Sequence, residues 1–184
     1  MPYPAKTSPR EILDEAMAQV ERVGANRLSV RAVAAALGLA PNALYRYYAD
    51  RDALLAAVAD EGARLLLAAV EDAARGREGA DAVRSLAASY LGFARTRPAL
   101  YATVMAQHAF PAGSRPALED LWDFASGLLG DVAGERAAAE ATVAVWGLLH
   151  GAAGLDRAGL FGERKPGGGV DFGLEALLKG MARS

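Results

Sequence analysis

The chain has 184 residues, 53% of them hydrophobic, which is enough to bury a sizeable core and too apolar for a disordered tail. A formal net charge of -2 excludes a nonspecific polycationic coat, so any surface for a polyanion must be local. Cysteine is absent, which excludes disulfides, thiolate metal sites and cysteine nucleophiles, and two histidines, His108 and His150, are too few for a conventional zinc site.

Apolar residues recur three and four apart in nearly every segment and sustained alternation is missing, so an all-α fold is expected. The first helix should begin at Pro9 and carry Ile12, Leu13, Ala16, Val20 and Val23 before Gly24 stops it. Ser29 caps a short second helix with Val30, Val33, Ala34 and Leu37, ended by Gly38. Pro41 opens a third, very short helix through Leu44, Tyr45 and Tyr48. Asp50 caps a fourth from Arg51, with Leu54, Leu55, Val58, Leu65, Leu66 and Val70. Residues 75–79 read as a loop, and further helices are expected over 81–97, 98–108, 115–130 and 135–158. Gly162 to Gly169 reads as a flexible linker, and Phe172 to Met181 as a last amphipathic helix.

Charge is unevenly placed along this order. From Arg22 to Arg51 five arginines (Arg22, Arg27, Arg31, Arg46, Arg51) face one acid, Asp50, a balance of +4. Two short helices joined by a glycine turn, the second presenting polar and aromatic side chains, have the form of a helix-turn-helix whose second helix enters the major groove of DNA. Val33, Ala34, Leu37, Leu39 and Leu44 would hold the pair together, and Tyr48 is the expected core member of the three tyrosines.

The block from Leu28 to Leu55 resembles the DNA-binding segment of the TetR family without a gap. Ser29, Val33, Ala34, Gly38, Leu39, Leu44, Tyr45, Tyr47, Tyr48, Asp50, Leu54 and Leu55 match its pattern, and Arg51 stands where lysine is usual. Leu37, Ala40 and Asn42 depart from it, at positions where alanine, a capping serine and glycine are common. The resemblance implies a three-helix DNA-binding domain over residues 1–52 and a larger helical effector-binding and dimerisation domain over 53–184. It also implies roles. Ser29, Tyr45, Tyr47 and Arg51 would meet phosphates, while Arg31, Pro41, Asn42, Ala43 and Arg46 lie on or beside the recognition helix. There Asn42 suits adenine, Arg46 guanine or a phosphate, and Ala43 a thymine methyl.

Later segments extend the resemblance. Tyr90 to Met105, interrupted at Pro98, looks like the family segment that turns into a ligand chamber, and Trp146 to Gly151 resembles the Trp-x-x-x-His-Gly element that names one C-terminal subclass. Tyr90, Phe93, Tyr101, Met105, His108, Trp122, Trp146 and His150 are the candidate lining, although aromatics at helical spacing also serve as ordinary core. Phe110 and Phe124 belong to the same apolar set. No charged cluster awaits an anion, so a small hydrophobic or aromatic effector is expected. Gly147, Gly151, Ala152, Ala153 and Gly154 would let a second backbone approach, and Phe172, Leu174, Leu177, Leu178 and Met181 form an apolar stripe, which together suggest a homodimer.

The expected function is therefore a dimeric repressor of a palindromic operator in double-stranded DNA, released by its effector, with no cofactor and no metal. An enzyme on the same scaffold is the rival, but no Ser-His-Asp order, phosphate-cradling loop or metal-ligand cluster is evident. A protein-binding adaptor is the second. Residues 1–6 lack an apolar core of signal-peptide length and no later run offers about 18 uninterrupted apolar residues, so a cytoplasmic protein without membrane partners is expected.

Overall fold

The computed structural model describes residues 7–106, 116–160 and 168–182, and among these the chain is helical with no strand. The helices are α1 (Pro9–Val23), α2 (Val30–Ala36), α3 (Pro41–Leu44), α4 (Arg51–Ala74), α5 (Gly79–Thr96), α6 (Pro98–Met105), α7 (Pro116–Ala133), α8 (Ala138–Arg157) and α9 (Gly169–Met181). The expected linker from Gly162 falls largely outside the described residues, as do His108 and Phe110. Two compact units emerge, one from described residues within Met1–Ala63 and Arg97–Pro116, the other from Arg64–Thr96 and Ala117–Ser184. The sequence placed a boundary after residue 52. Helix α4 runs unbroken through both units, and α6 belongs with the first.

Local chemistry sets the helix ends of the first unit. Ser8 Oγ accepts from the Glu11 amide while the Ser8 amide donates to the Glu11 carboxylate at 2.7 Å, a capping box with Pro9 in the first turn. The Ser8 amide and the Thr7 and Ser8 hydroxyls hold the Glu11 carboxyl below its ordinary range. Ser29 Oγ caps α2 through the Ala32 amide, and Gly38 adopts a left-handed φ of 66° that reverses the chain with little steric cost. Ala40 offers no capping oxygen to α3, which closes after Leu44 and continues as turns through Tyr47. Asp50 accepts from the Ala53 amide at 2.7 Å and starts α4.

The first core joins Ile12, Ala16 and Val20 of α1 to Val33 and Ala34 of α2, Leu44 of α3, and Leu54 and Val58 of α4, all essentially inaccessible. Helix α6 completes it with Leu100, Tyr101 and Val104 buried. Its approach to α4 is close enough that a Cβ on Gly62 would fall 2.7 Å from Val104 Cγ2 and 2.9 Å from Leu100 Cδ1. Arg97, which precedes α6, pairs with Glu21 of α1 at 3.3 Å.

The second unit buries Leu66 and Val70 of α4, Val83 and Leu86 of α5, Leu129 of α7, Val145 and Leu149 of α8, and Leu174 and Leu178 of α9. Polar ties sit around this core. Ser89 Oγ of α5 donates to the Ala69 carbonyl of α4 at 2.9 Å, and Arg84 of α5 engages Glu175 of α9 with both Nε and Nη2. That bidentate pair holds the Glu175 carboxyl below its ordinary range, while Arg84 Nη1 binds Asp81 at 2.7 Å.

Candidate DNA-binding face and apolar cavity

In the first unit, the residues expected to meet DNA divide into free and engaged side chains. Arg31 on α2 and Pro41, Asn42, Tyr45 and Arg46 on and after α3 are exposed, with Tyr45 49% accessible and Ala43 half-buried between them. Among the described residues Arg31, Asn42, Tyr45 and Arg46 have no side-chain hydrogen bond or ion pair. They present two cations, an amide and a phenol from one pair of short helices, a set able to contact phosphates and base edges together.

The engaged side chains are Tyr47, Tyr48, Ser29 and Arg51. Tyr47 was expected to face phosphate, but its hydroxyl donates to the Thr7 carbonyl at 3.2 Å. The Tyr48 hydroxyl donates to the Pro9 carbonyl at 3.4 Å, and burial raises its pKa. Both tie the end of the recognition segment to the start of α1. Arg51, expected to meet phosphate, donates to the carbonyls of Leu28 (3.1 Å, Nε) and Ala25 (2.7 Å, Nη2) and to Asp52 (3.0 Å, Nη1). The anion-seeking start of α4 therefore has its arginine turned onto the backbone.

Sequence reasoning missed Gln19 and the Arg10–Glu61 pair. Gln19 is 5% exposed on α1, and its Oε1 accepts from the Ser29 amide at 2.7 Å. The available signal was a glutamine within the apolar stripe Ile12, Ala16, Val20, where a polar group needs a buried partner.

In the second unit α4, α5, α7 and α8 line an apolar cavity of about 30 Å³. Tyr90 and Trp146, both expected lining residues, stand on its wall with Leu86, Leu121, Leu129 and Leu149. Trp122 packs against Trp146 with ring centroids 5.8 Å apart and planes tilted by 36°. The hydroxyl of Thr142, also on the wall, donates to the Ala138 carbonyl at 2.7 Å and shares a 3.1 Å hydrogen bond with Ser126.

The other expected lining residues lie elsewhere. Phe93 is buried in α5 but is not on this wall, and His150 is exposed on α8. Tyr101 and Met105 sit on α6 in the first unit, because α6 packs its apolar side onto α1 and Gly62. His108 lies outside the described residues. Among the described residues no group of three or more His, Cys, Asp or Glu side chains could hold a metal, and no helix is long and apolar enough to cross a membrane.

Comparisons with known proteins bear on both units. Residues 12–58 match the family model described as bacterial regulatory proteins, tetR family, and residues 83–179 match tetracyclin repressor-like, C-terminal domain. Curated proteins yield no sequence match. A protein of unknown function from Rhodococcus sp. RHA1 is similar in structure at 25% identity, with a TM-score of 0.78 over 100% of this chain and 97% of that one. A possible TetR family transcriptional regulator from Streptomyces coelicolor A3(2) shares the fold at 19% identity and a TM-score of 0.72, covering 96% of this chain and 99% of its own. A TetR variant from Acinetobacter baumannii AYE in complex with minocycline shares it at 20% identity and 0.71, covering 96% and 97%. With more than half its length matched by the C-terminal model alone and its helix-turn-helix matched by the N-terminal one, the chain belongs to the tetR family of bacterial regulatory proteins.

Proposed function

We propose that this regulator is a repressor that binds a palindromic operator as a homodimer in the cytoplasm and is released by a small hydrophobic effector. Members of its family are DNA-binding transcription regulators that respond to ligands. The observation that carries the reading is the free quartet Arg31, Asn42, Tyr45 and Arg46 on an otherwise engaged helix-turn-helix. Tyr45 and Arg31 supply phosphate contacts, while Asn42 and Arg46 reach base edges, so affinity falls with salt and sequence preference resides in the latter two.

The apolar wall of the cavity supports the effector class, since its lining includes no charged side chain to neutralise an anion. Helix α4 contributes Val70 to that wall and Arg51 to the DNA-binding unit, which gives a covalent route for coupling. The spacing of Trp146, His150 and Gly151 supports a reading within the Trp-x-x-x-His-Gly subclass.

Dimerisation through α8 and α9 is supported by an open face. Val143 is 60% and Phe172 80% exposed, and a Cβ on Gly147, Gly151 or Gly154 would meet nothing within 4 Å. Gly151→Leu therefore leaves the protomer folded but blocks a close helix crossing, and sedimentation at micromolar concentration should show monomers. The reading as a whole is tested by footprinting the protein on its own upstream region with and without hydrophobic ligands. A symmetric footprint erased by ligand is expected. A footprint strengthened by ligand would make the effector a co-repressor.

A further inference from the structure

The peptide group between Leu28 and Ser29 is held at both ends. Its N–H donates to Gln19 Oε1 of α1 at 2.7 Å, and its carbonyl accepts from Arg51 Nε of α4 at 3.1 Å. Arg51 Nη2 adds the Ala25 carbonyl at 2.7 Å, so one planar guanidinium spans the short 3-10 turn (Ala25–Arg27) that leads into α2. Gln19 is buried, Leu28 is 3% exposed, and the next residue is the cap of α2. The orientation of this single peptide sets where α2 begins, and through the Gly38 turn it sets where α3 points.

We propose that Gln19 and Arg51 are a pair of positioning residues that fix the entry peptide of the helix-turn-helix, and that Arg51 acts on DNA affinity through this grip and not as a phosphate ligand. The proposal rests on the DNA-binding reading for its consequence, but not for its geometry. A planar fork is needed to reach two carbonyls at once; the single ammonium of lysine keeps the charge yet cannot reproduce that span. Charge at Arg51 and geometry at Arg51 are thus separable.

Amide hydrogen exchange and DNA titration on the full chain make the test. Gln19→Leu should speed exchange of the Ser29 amide about tenfold, the scale of one lost hydrogen bond, whereas Gln19→Glu, which keeps an oxygen acceptor, should preserve protection. Arg51→Lys and Arg51→Ala should both loosen α2 amides and weaken operator binding by a similar factor, about tenfold, with the slope of log affinity against log salt unchanged. Protection across α7 and α8 should stay at the wild-type level, which separates local loosening from unfolding. The proposal is overturned if Arg51→Lys keeps wild-type affinity while Arg51→Ala lowers the salt slope by about one, the signature of a phosphate contact. Unchanged Ser29 exchange in Gln19→Leu overturns the other half. If the wild type bound no duplex, the DNA-binding reading would fail, and the assigned effect of Arg51 on affinity with it; the exchange measurements would still decide whether the peptide is gripped.

Discussion

Arg10 Nη1 lies 2.7 Å from Glu61 Oε1, joining the first turn of α1 to the middle of α4 across 51 residues of sequence. The two ends differ in environment, the Arg10 side chain being 61% exposed and that of Glu61 5%. Arg10 also pairs with Asp14 one turn along its own helix. The solvated partner thus compensates a carboxylate that the fold has removed from water.

This asymmetry predicts unequal mutants. Arg10→Ala removes one cationic partner from a buried carboxylate and should cost about 1–2 kcal/mol, less than a fully buried pair because Arg10 remains hydrated. Glu61→Gln removes the charge that needs compensation and should cost under about 1 kcal/mol. Urea denaturation of the two variants checks the order. Equal losses would show that the attraction itself, and not desolvation of Glu61, governs the pair.

Gly62→Ala pits two effects of known sign against each other. Alanine in a helix interior gains about 1 kcal/mol over glycine, whereas forcing a methyl into a filled core costs about 1–3 kcal/mol. Leu100 and Val104, the side chains it meets, are 0% and 2% exposed and have no open side to move toward. The clash should win, lowering the melting temperature. Combining it with Leu100→Ala should recover part of the loss relative to the sum of the single changes.

The helix starts and stops were legible because each is local chemistry. Pro9, Ser29, Pro41, Asp50 and Gly38 all act within a few residues, whereas the Ser8–Glu11 capping box went unread. What escaped was pairing at a distance. Nothing near Arg51 in sequence announces that its guanidinium will turn back 23 and 26 residues to two carbonyls, and a tyrosine that reaches phosphate reads the same as one that reaches Thr7. Tyr101 and Met105 were grouped with the cavity because they are large and apolar on a helix after Pro98. Periodicity identifies a buried face, but not which core it enters.

Acid should loosen the recognition segment through Glu11. Its carboxyl has a pKa below the ordinary 4.5 because the folded capping box hydrogen-bonds the charged form, so its contribution is complete above about pH 4.5 and drains away as pH falls through the lower folded value. Tyr47 and Tyr48 anchor on the carbonyls of Thr7 and Pro9, at the same helix start. Glu11→Gln should therefore lower stability at neutral pH and flatten its pH dependence below that point, so that the two proteins converge in acid. A wild-type acid profile identical to that of the variant would remove the capping box from the account.

The cavity makes the most specific demand on a ligand. At about 30 Å³ it holds about two waters, far short of the roughly 300 Å³ or more of a typical ligand pocket, so an effector must displace wall side chains. Trp146 is the natural candidate, being half-buried, on the wall and packed against Trp122 at a tilt. Hydrophobic ligands that enter should separate the indoles and change tryptophan fluorescence in step with release of DNA. Ala125→Leu, which extends a wall residue into the space, should weaken ligand binding at least tenfold and leave operator affinity intact, since about 1.4 kcal/mol of lost burial suffices. Trp146→Ala should keep operator binding and lose induction. If Trp146→Ala instead retained full ligand affinity and coupling, Trp146 would serve only to pack the core, and the effector would have to enter along the Leu121 and Leu129 side of the wall.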